Sequence, residues 1–107
     1  MIYKKSDIGY KELAQGVSRK TLTYGEKALL SEFRLAKGGI LPVHSHPQEQ
    51  IGYLVSGKIV LNFEGQDHEF GPGDSWCIAG DAVHSGVVLE DAVAVEVFAP
   101  VREDYLD

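Results

Sequence analysis

A chain of 107 residues, 44% hydrophobic and 24% charged, has the size and composition of one soluble domain spanning 1–107, with a core that needs no disulfide staples. Its formal net charge of -6 excludes nucleic acid and anionic membrane surfaces as partners, because both require a basic face, but leaves room for a small anion if cations gather locally. Cys77 is the single cysteine, no run approaches the roughly 18 apolar residues that span a bilayer, and no apolar run follows the lysines of Met1 to Tyr10 to form a signal peptide, so a cytoplasmic protein without disulfides is expected.

Along the chain, Tyr10 to Gln15 is the one segment with the pattern of a short helical turn. Val17 to Tyr24 reads as a strand ended by Gly25, and Ala28 to Ala36 as a second closed by Lys37-Gly38-Gly39. Gln50 to Val55 is bounded by Ser56-Gly57; Ile59 to Phe63 leads into the turn Glu64-Gly65-Gln66-Asp67. His68 to Phe70 stops at Gly71-Pro72-Gly73-Asp74, and Ser75 to Ile78 at Ala79-Gly80-Asp81. Cys77, between Trp76 and Ile78, is expected as a small core residue. His84 to Leu89 is broken by Glu90-Asp91, and Ala92 to Phe98 is closed by Pro100. The last run alternates with a period of two: Val93, Val95 and Val97 on one face, Ala94, Glu96 and Phe98 on the other. Short strands with turn chemistry between them predict an all-β fold, and about eight of them fit a jelly-roll β-barrel. Helix-length patterns between strands are missing, which excludes a doubly wound α/β fold.

His44-Ser45-His46 places two imidazoles at i and i+2, on one face if the segment is extended. Pro42 and Pro47 bracket the pair and favour that geometry, since a residue before proline avoids the helical region. Gln50 or its neighbour Glu49 offers a further donor, and His84 stands much later at the head of a strand. Imidazoles arranged in this way point to one divalent metal ion, for which Zn, Ni, Mn and Fe are all suitable. His68 lies beside a polar turn and is expected to be solvated, not a ligand. Near the C-terminus, Glu96 faces either a cavity or solvent on pattern alone. Partial burial there would raise its pKa and suit it to proton transfer. Arg102 either offers its planar fork to a carboxylate or pairs with Glu103 or Asp104 on the surface.

These motifs resemble those of a known superfamily. Gly38, then His44-x-His46, Gln50 and Gly57 are similar to the first cupin motif; Gly73-Asp74 followed by His84 is similar to the second. Gln50 stands where glutamate is usual, Ala79 where proline is usual, and Asp81 where glycine is usual. Gln50 is preferred over Glu49 because it shares the parity of Gly52 and Leu54 and matches the motif spacing. The resemblance therefore implies a metal site of His44, His46, Gln50 and His84. Three neutral imidazoles and a neutral amide leave the ion's charge uncompensated, which makes it a stronger Lewis acid.

The whole chain, including Glu49-Gln50-Ile51-Gly52-Tyr53 and Val97 to Tyr105, further resembles the small cupins of pectin degradation. That resemblance implies conversion of 4,5-unsaturated monouronates from pectin or alginate into linear keto acids. It implies Glu96 and Arg102 as catalytic residues, with Phe98 and Arg102 binding the sugar acid. The family's acid is commonly aspartate, one methylene shorter than Glu96. A homodimer is expected by analogy with other small cupins. The competing readings are an Fe(II) dioxygenase on a small substrate, distinguishable by oxygen uptake, and a cupin that binds a sugar acid without turning it over.

Overall fold

The computed structural model describes residues 1–107. Eight strands carry the chain: β1 (Lys11–Ala14), β2 (Val17–Tyr24), β3 (Leu29–Leu35), β4 (Ile40–His44), β5 (Glu49–Phe63), β6 (Gln66–Phe70), β7 (Ser75–Ile78) and β8 (His84–Ala99), followed by a 3-10 turn at Glu103–Tyr105. All the pairings are antiparallel, so the all-β expectation holds.

β5 and β8 form the frame, paired from Glu49↔Ala99 to Phe63↔His84. Each serves two sets of neighbours. The later half of β8 pairs with β3 and its earlier half with β4. The earlier half of β5 pairs with β7 and its later half with β6. β2 and β1 extend the sheet beyond β3.

Both long strands bend where the sequence reading placed strand ends. The register shifts between Leu54 and Ile59, opposite Glu90 and Asp91, and resumes beyond. Gly57 makes the bend possible: its φ is 86°, and a Cβ there would lie 2.2 Å from the Asp91 carbonyl oxygen and 2.5 Å from the Ala92 Cα. Only glycine permits that approach. Ser56-Gly57 is therefore a corner within one strand, not the gap between two.

The even positions of β8 from His84 to Phe98 point inward, apart from Glu90 at the bend, and Val93, Val95 and Val97 lie half-buried on the outer face. Leu54, Ile59, Ile78, Val88, Leu29 and Phe98 are among the core side chains, and burying each contributes roughly 1.5–3 kcal/mol.

Two expectations are corrected. Tyr10 to Gln15 is not a helical turn: Lys11–Ala14 is an edge strand, with Lys11 opposite Arg19 on β2. Pairing with β2 overrides a pattern too short to sustain a helix. Cys77 is exposed, because strand alternation sends Trp76 and Ile78 inward and the residue between them out. β4, which the sequence reading treated only as extended around His44, tolerates Pro42 because it pairs with β8 alone. No helix is long and apolar enough to cross a membrane.

Candidate active site

His44 ends β4 and His84 begins β8, and the two are cross-strand partners with ring centroids 4.1 Å apart. His46 follows in the connection to β5, its ring 5.7 Å from His44 and 5.0 Å from His84. One nitrogen from each ring lies within 4.8 Å of the others. Each Nδ1 donates to a backbone carbonyl: His44 to Pro42 at 2.7 Å, His46 to Gln48 at 3.0 Å and His84 to Ala82 at 2.8 Å. A carbonyl only accepts, so these contacts set the tautomer and leave Nε2 of every ring with its lone pair free for a metal. His84 Nε2 is buried without a hydrogen-bond partner, a cost that a metal ion relieves. Burial pulls both His46 and His84 below the ordinary imidazole value, and the Arg102 charge acts in the same direction. Neutral imidazoles are what ligation needs. On each of these counts the three histidines fit a single ion.

Gln50 joins this group to an acid. Its Nε2 donates to Glu96 Oε1 at 2.6 Å, and its Oε1 lies 3.0 Å from His46 Nε2. A carboxylate accepts and does not donate, so the amide nitrogen belongs on the Glu96 side and the oxygen faces the imidazole. With His46 Nδ1–H committed to Gln48, two electron-rich atoms then converge, an arrangement suited to a shared cation. Glu49, the alternative donor, is exposed on the opposite face of β5.

Glu96 is 6% exposed. Trp76 Nε1 also donates to its Oε1, at 2.9 Å, and neither donor reaches Oε2. Burial pushes the Glu96 carboxyl above its ordinary value, opposed by the donors from Gln50 and Trp76 and by the Arg102 charge. Trp76 and Glu96 both lie opposite Gly52 in the sheet. A Cβ on Gly52 would sit 2.1 Å from the indole, so the missing side chain is what lets the ring cross β5. Phe98 is buried and packs nearly perpendicular to the His46 ring, centroids 5.6 Å apart. The Arg102 guanidinium lies 5.1 Å from the Phe98 ring centroid. It also pairs with Asp104 through Nε at 3.2 Å and Nη2 at 2.8 Å, which is the surface pairing the sequence offered as one of its two readings of Arg102. His44, Gln50, His84, Glu96, Phe98 and Arg102 line one cavity of about 260 Å³, whose remaining wall is mostly apolar.

The cupin domain profile matches residues 31–99. This chain is a cupin. The cupin is 30% identical over 99 residues to the pectin degradation protein KdgF of Dickeya dadantii (strain 3937), a match covering 91% of this chain and 90% of that one. It superposes on the structure of KdgF from Halomonas sp. with a TM-score of 0.91 at 25% identity, over 99% of this chain and 98% of that one. An RmlC-like cupin from Shewanella frigidimarina NCIMB 400 gives the same TM-score of 0.91 at 23% identity, over 98% and 95% of the two chains.

Within this cupin, the structure brings together His44, His46, Gln50, His84, Glu96, Phe98 and Arg102, and leaves His68 and Glu49 outside. His68 is half-buried, not solvated, with its ring 4.7 Å from Phe63. The sequence reading missed Trp76 and Tyr105, and named Asp104 only as a surface partner of Arg102. Trp76 was detectable from its parity with Ile78 in a short run and from the glycine at Gly52. Tyr105 carried no signal, because its role arises where the C-terminal turn folds back.

Proposed function

We propose that this cupin is a metal-dependent enzyme that opens 4,5-unsaturated monouronates, derived from pectin or alginate, to linear keto acids. The observation that carries this reading is the buried Glu96 carboxyl, held in the same cavity as His44, His84 and Arg102 and joined through Gln50 to His46. The likeness to a pectin degradation protein supports the substrate class. His44, His46, His84 and Gln50 would hold the ion, which when bound supplies Lewis acidity toward anionic oxygens.

The chain's own residues account for the proton transfers. Arg102 binds the substrate carboxylate and Phe98 packs against the sugar ring. Glu96, through Oε2, takes the proton of the anomeric hydroxyl. The bond between C1 and the ring oxygen breaks as the C1 carbonyl forms, and the ring oxygen leaves on C5 as an enolate. Arg102 stabilises that developing charge. The proton returns to C4, giving the ketone at C5 with no redox change.

The test is to offer the metal-loaded protein a panel of unsaturated uronates and to follow loss of their ultraviolet absorbance. Activity on at least one is expected; no loss across the panel would overturn the reading. We also infer that the protein works as a homodimer, supported by the exposed Ile51, Tyr53 and Val55 on the outer face of β5. A cytoplasmic setting is supported by the free, exposed thiol of Cys77, which suits a reducing compartment.

A further inference from the structure

The C-terminal turn is built around one ring. Arg19 and Arg102 each bring their guanidinium carbon to 3.9 Å from the Tyr105 ring centroid. Both cations therefore lie in contact with the Tyr105 ring. Arg19 is itself fixed. It is 3% exposed and donates to Asp107 at 3.2 and 2.7 Å and to Thr21 Oγ1 at 3.0 Å. The Thr21 hydroxyl donates to the Tyr105 carbonyl. Lys11 Nζ reaches the same Asp107 at 2.8 Å. The ring also packs perpendicular to Phe98, with centroids 5.4 Å apart. Tyr105 is therefore a rigid platform under Arg102.

Asp104 adds a second constraint. It takes Arg102 by the Nε and Nη2 edge. A guanidinium offers two such paired edges, and Asp104 leaves the Nη1 and Nη2 edge unpaired. We propose that Tyr105 and Asp104 are positioning residues for Arg102: the ring fixes the plane of the guanidinium, and Asp104 fixes its rotation so that the Nη1 and Nη2 edge meets a carboxylate in the cavity. This rests on reading the cavity as a sugar-acid site.

The test uses the zinc-loaded full chain. Calorimetry with D-galacturonate and with D-galactose measures carboxylate recognition, and the Arg102 Nε–H proton resonance, assigned by its loss in Arg102→Lys, reports whether the side chain is fixed. Tyr105→Leu and Asp104→Asn should each weaken galacturonate binding about tenfold, the scale of one charge-assisted contact, without changing the response to galactose. Tyr105→Phe, which keeps the ring, should bind within about twofold of the parent, since that step is small beside a lost contact. The Nε–H line should persist in Tyr105→Phe and vanish in the other two. Asp104 is largely exposed, so Asp104→Asn keeps the test valid if Tyr105→Leu fails to fold. A rise in galacturonate affinity in Asp104→Asn, the sign expected if Asp104 merely competes with the ligand, overturns the proposal. So does a Tyr105→Phe variant as weak as Tyr105→Leu. If the parent ignores galacturonate while the Nε–H lines behave as described, the positioning stands and the sugar-acid reading fails.

Discussion

Trp76 reaches Glu96 across the bare backbone of Gly52, delivering an indole N–H to the carboxylate at 2.9 Å. The donor engages Oε1, the same oxygen that Gln50 engages, so the carboxylate is held at one oxygen and available at the other. Trp76→Phe keeps an aromatic ring and removes the donor. Hydrogen bonds to charged groups contribute about 1.5–3 kcal/mol, so kcat for ring opening should fall at least about tenfold with little change in KM. Gly52→Ala should give the same defect by displacing the indole. Steady-state assays of both variants check this, and an unchanged kcat in Trp76→Phe would remove the orienting role.

Glu96→Gln retains an oxygen that can accept from both Gln50 and Trp76. The fold and metal binding should therefore survive, while ring opening should fall by about 100-fold or more, the usual worth of a general base. A variant that opens the substrate at the parental rate rules out the proton-transfer role.

Gln50→Glu sets a second carboxylate beside Glu96, in place of an amide now 2.6 Å from it. Like charges that close cannot both ionise without penalty. The metal-free variant should be less stable than the parent, and increasingly so as the pH rises above the carboxylate range. Chemical denaturation at two pH values measures this; equal stability at both would show that the Gln50–Glu96 contact is not made.

Chelator treatment should lower the melting temperature of the parent, and readdition of zinc should restore it. A ligand at a thousand times its dissociation constant stabilises by about 4 kcal/mol. His84→Ala removes the one imidazole whose inward nitrogen is buried and unpartnered, and should abolish the response. A full zinc response in His84→Ala would place the ion elsewhere.

The metal-free protein should also respond to pH in two opposed ways. Burial holds His46 and His84 below the ordinary 6.5 of an imidazole. Acidification below 6.5 therefore protonates the unfolded chain first, and stability falls. Burial holds Glu96 above its ordinary 4.5, so between that value and its folded pKa the folded carboxyl keeps a proton the unfolded chain has shed. There, acidification favours folding. Glu96→Gln removes only the second effect. Its melting temperature should drop more steeply than the parent's on acidification from pH 6.5 toward 4.5, and a shallower drop would contradict the sign.

Much of the site was legible because it rests on strand parity. Gln50 shares the parity of Gly52 and Leu54, and Glu96 opposes the valines of β8, both from a period of two; His46 meets His44 from the connection beyond β4. The corners at Gly57 and Glu90-Asp91 were misread as ends, since turn-forming residues look alike whether a strand stops or bends. The edge strand at Lys11–Ala14 was hidden because its pairing with β2, not its own pattern, creates it. The clasp around Tyr105 joins residues far apart in sequence through side-chain stacking, which leaves no local trace.

The continuity of β8 through its bend fixes more than shape. His84 and Glu96 are even positions of one strand, one on each side of the bend at Glu90-Asp91, so imidazole and acid are both held by the ladder with β5 and not by a loop. Inserting a single residue within either paired half, away from the bend, would turn one of the two outward and dismantle the cavity. A turn such as Glu64-Gly65, which does not line the cavity, is where the chain can lengthen without touching the chemistry.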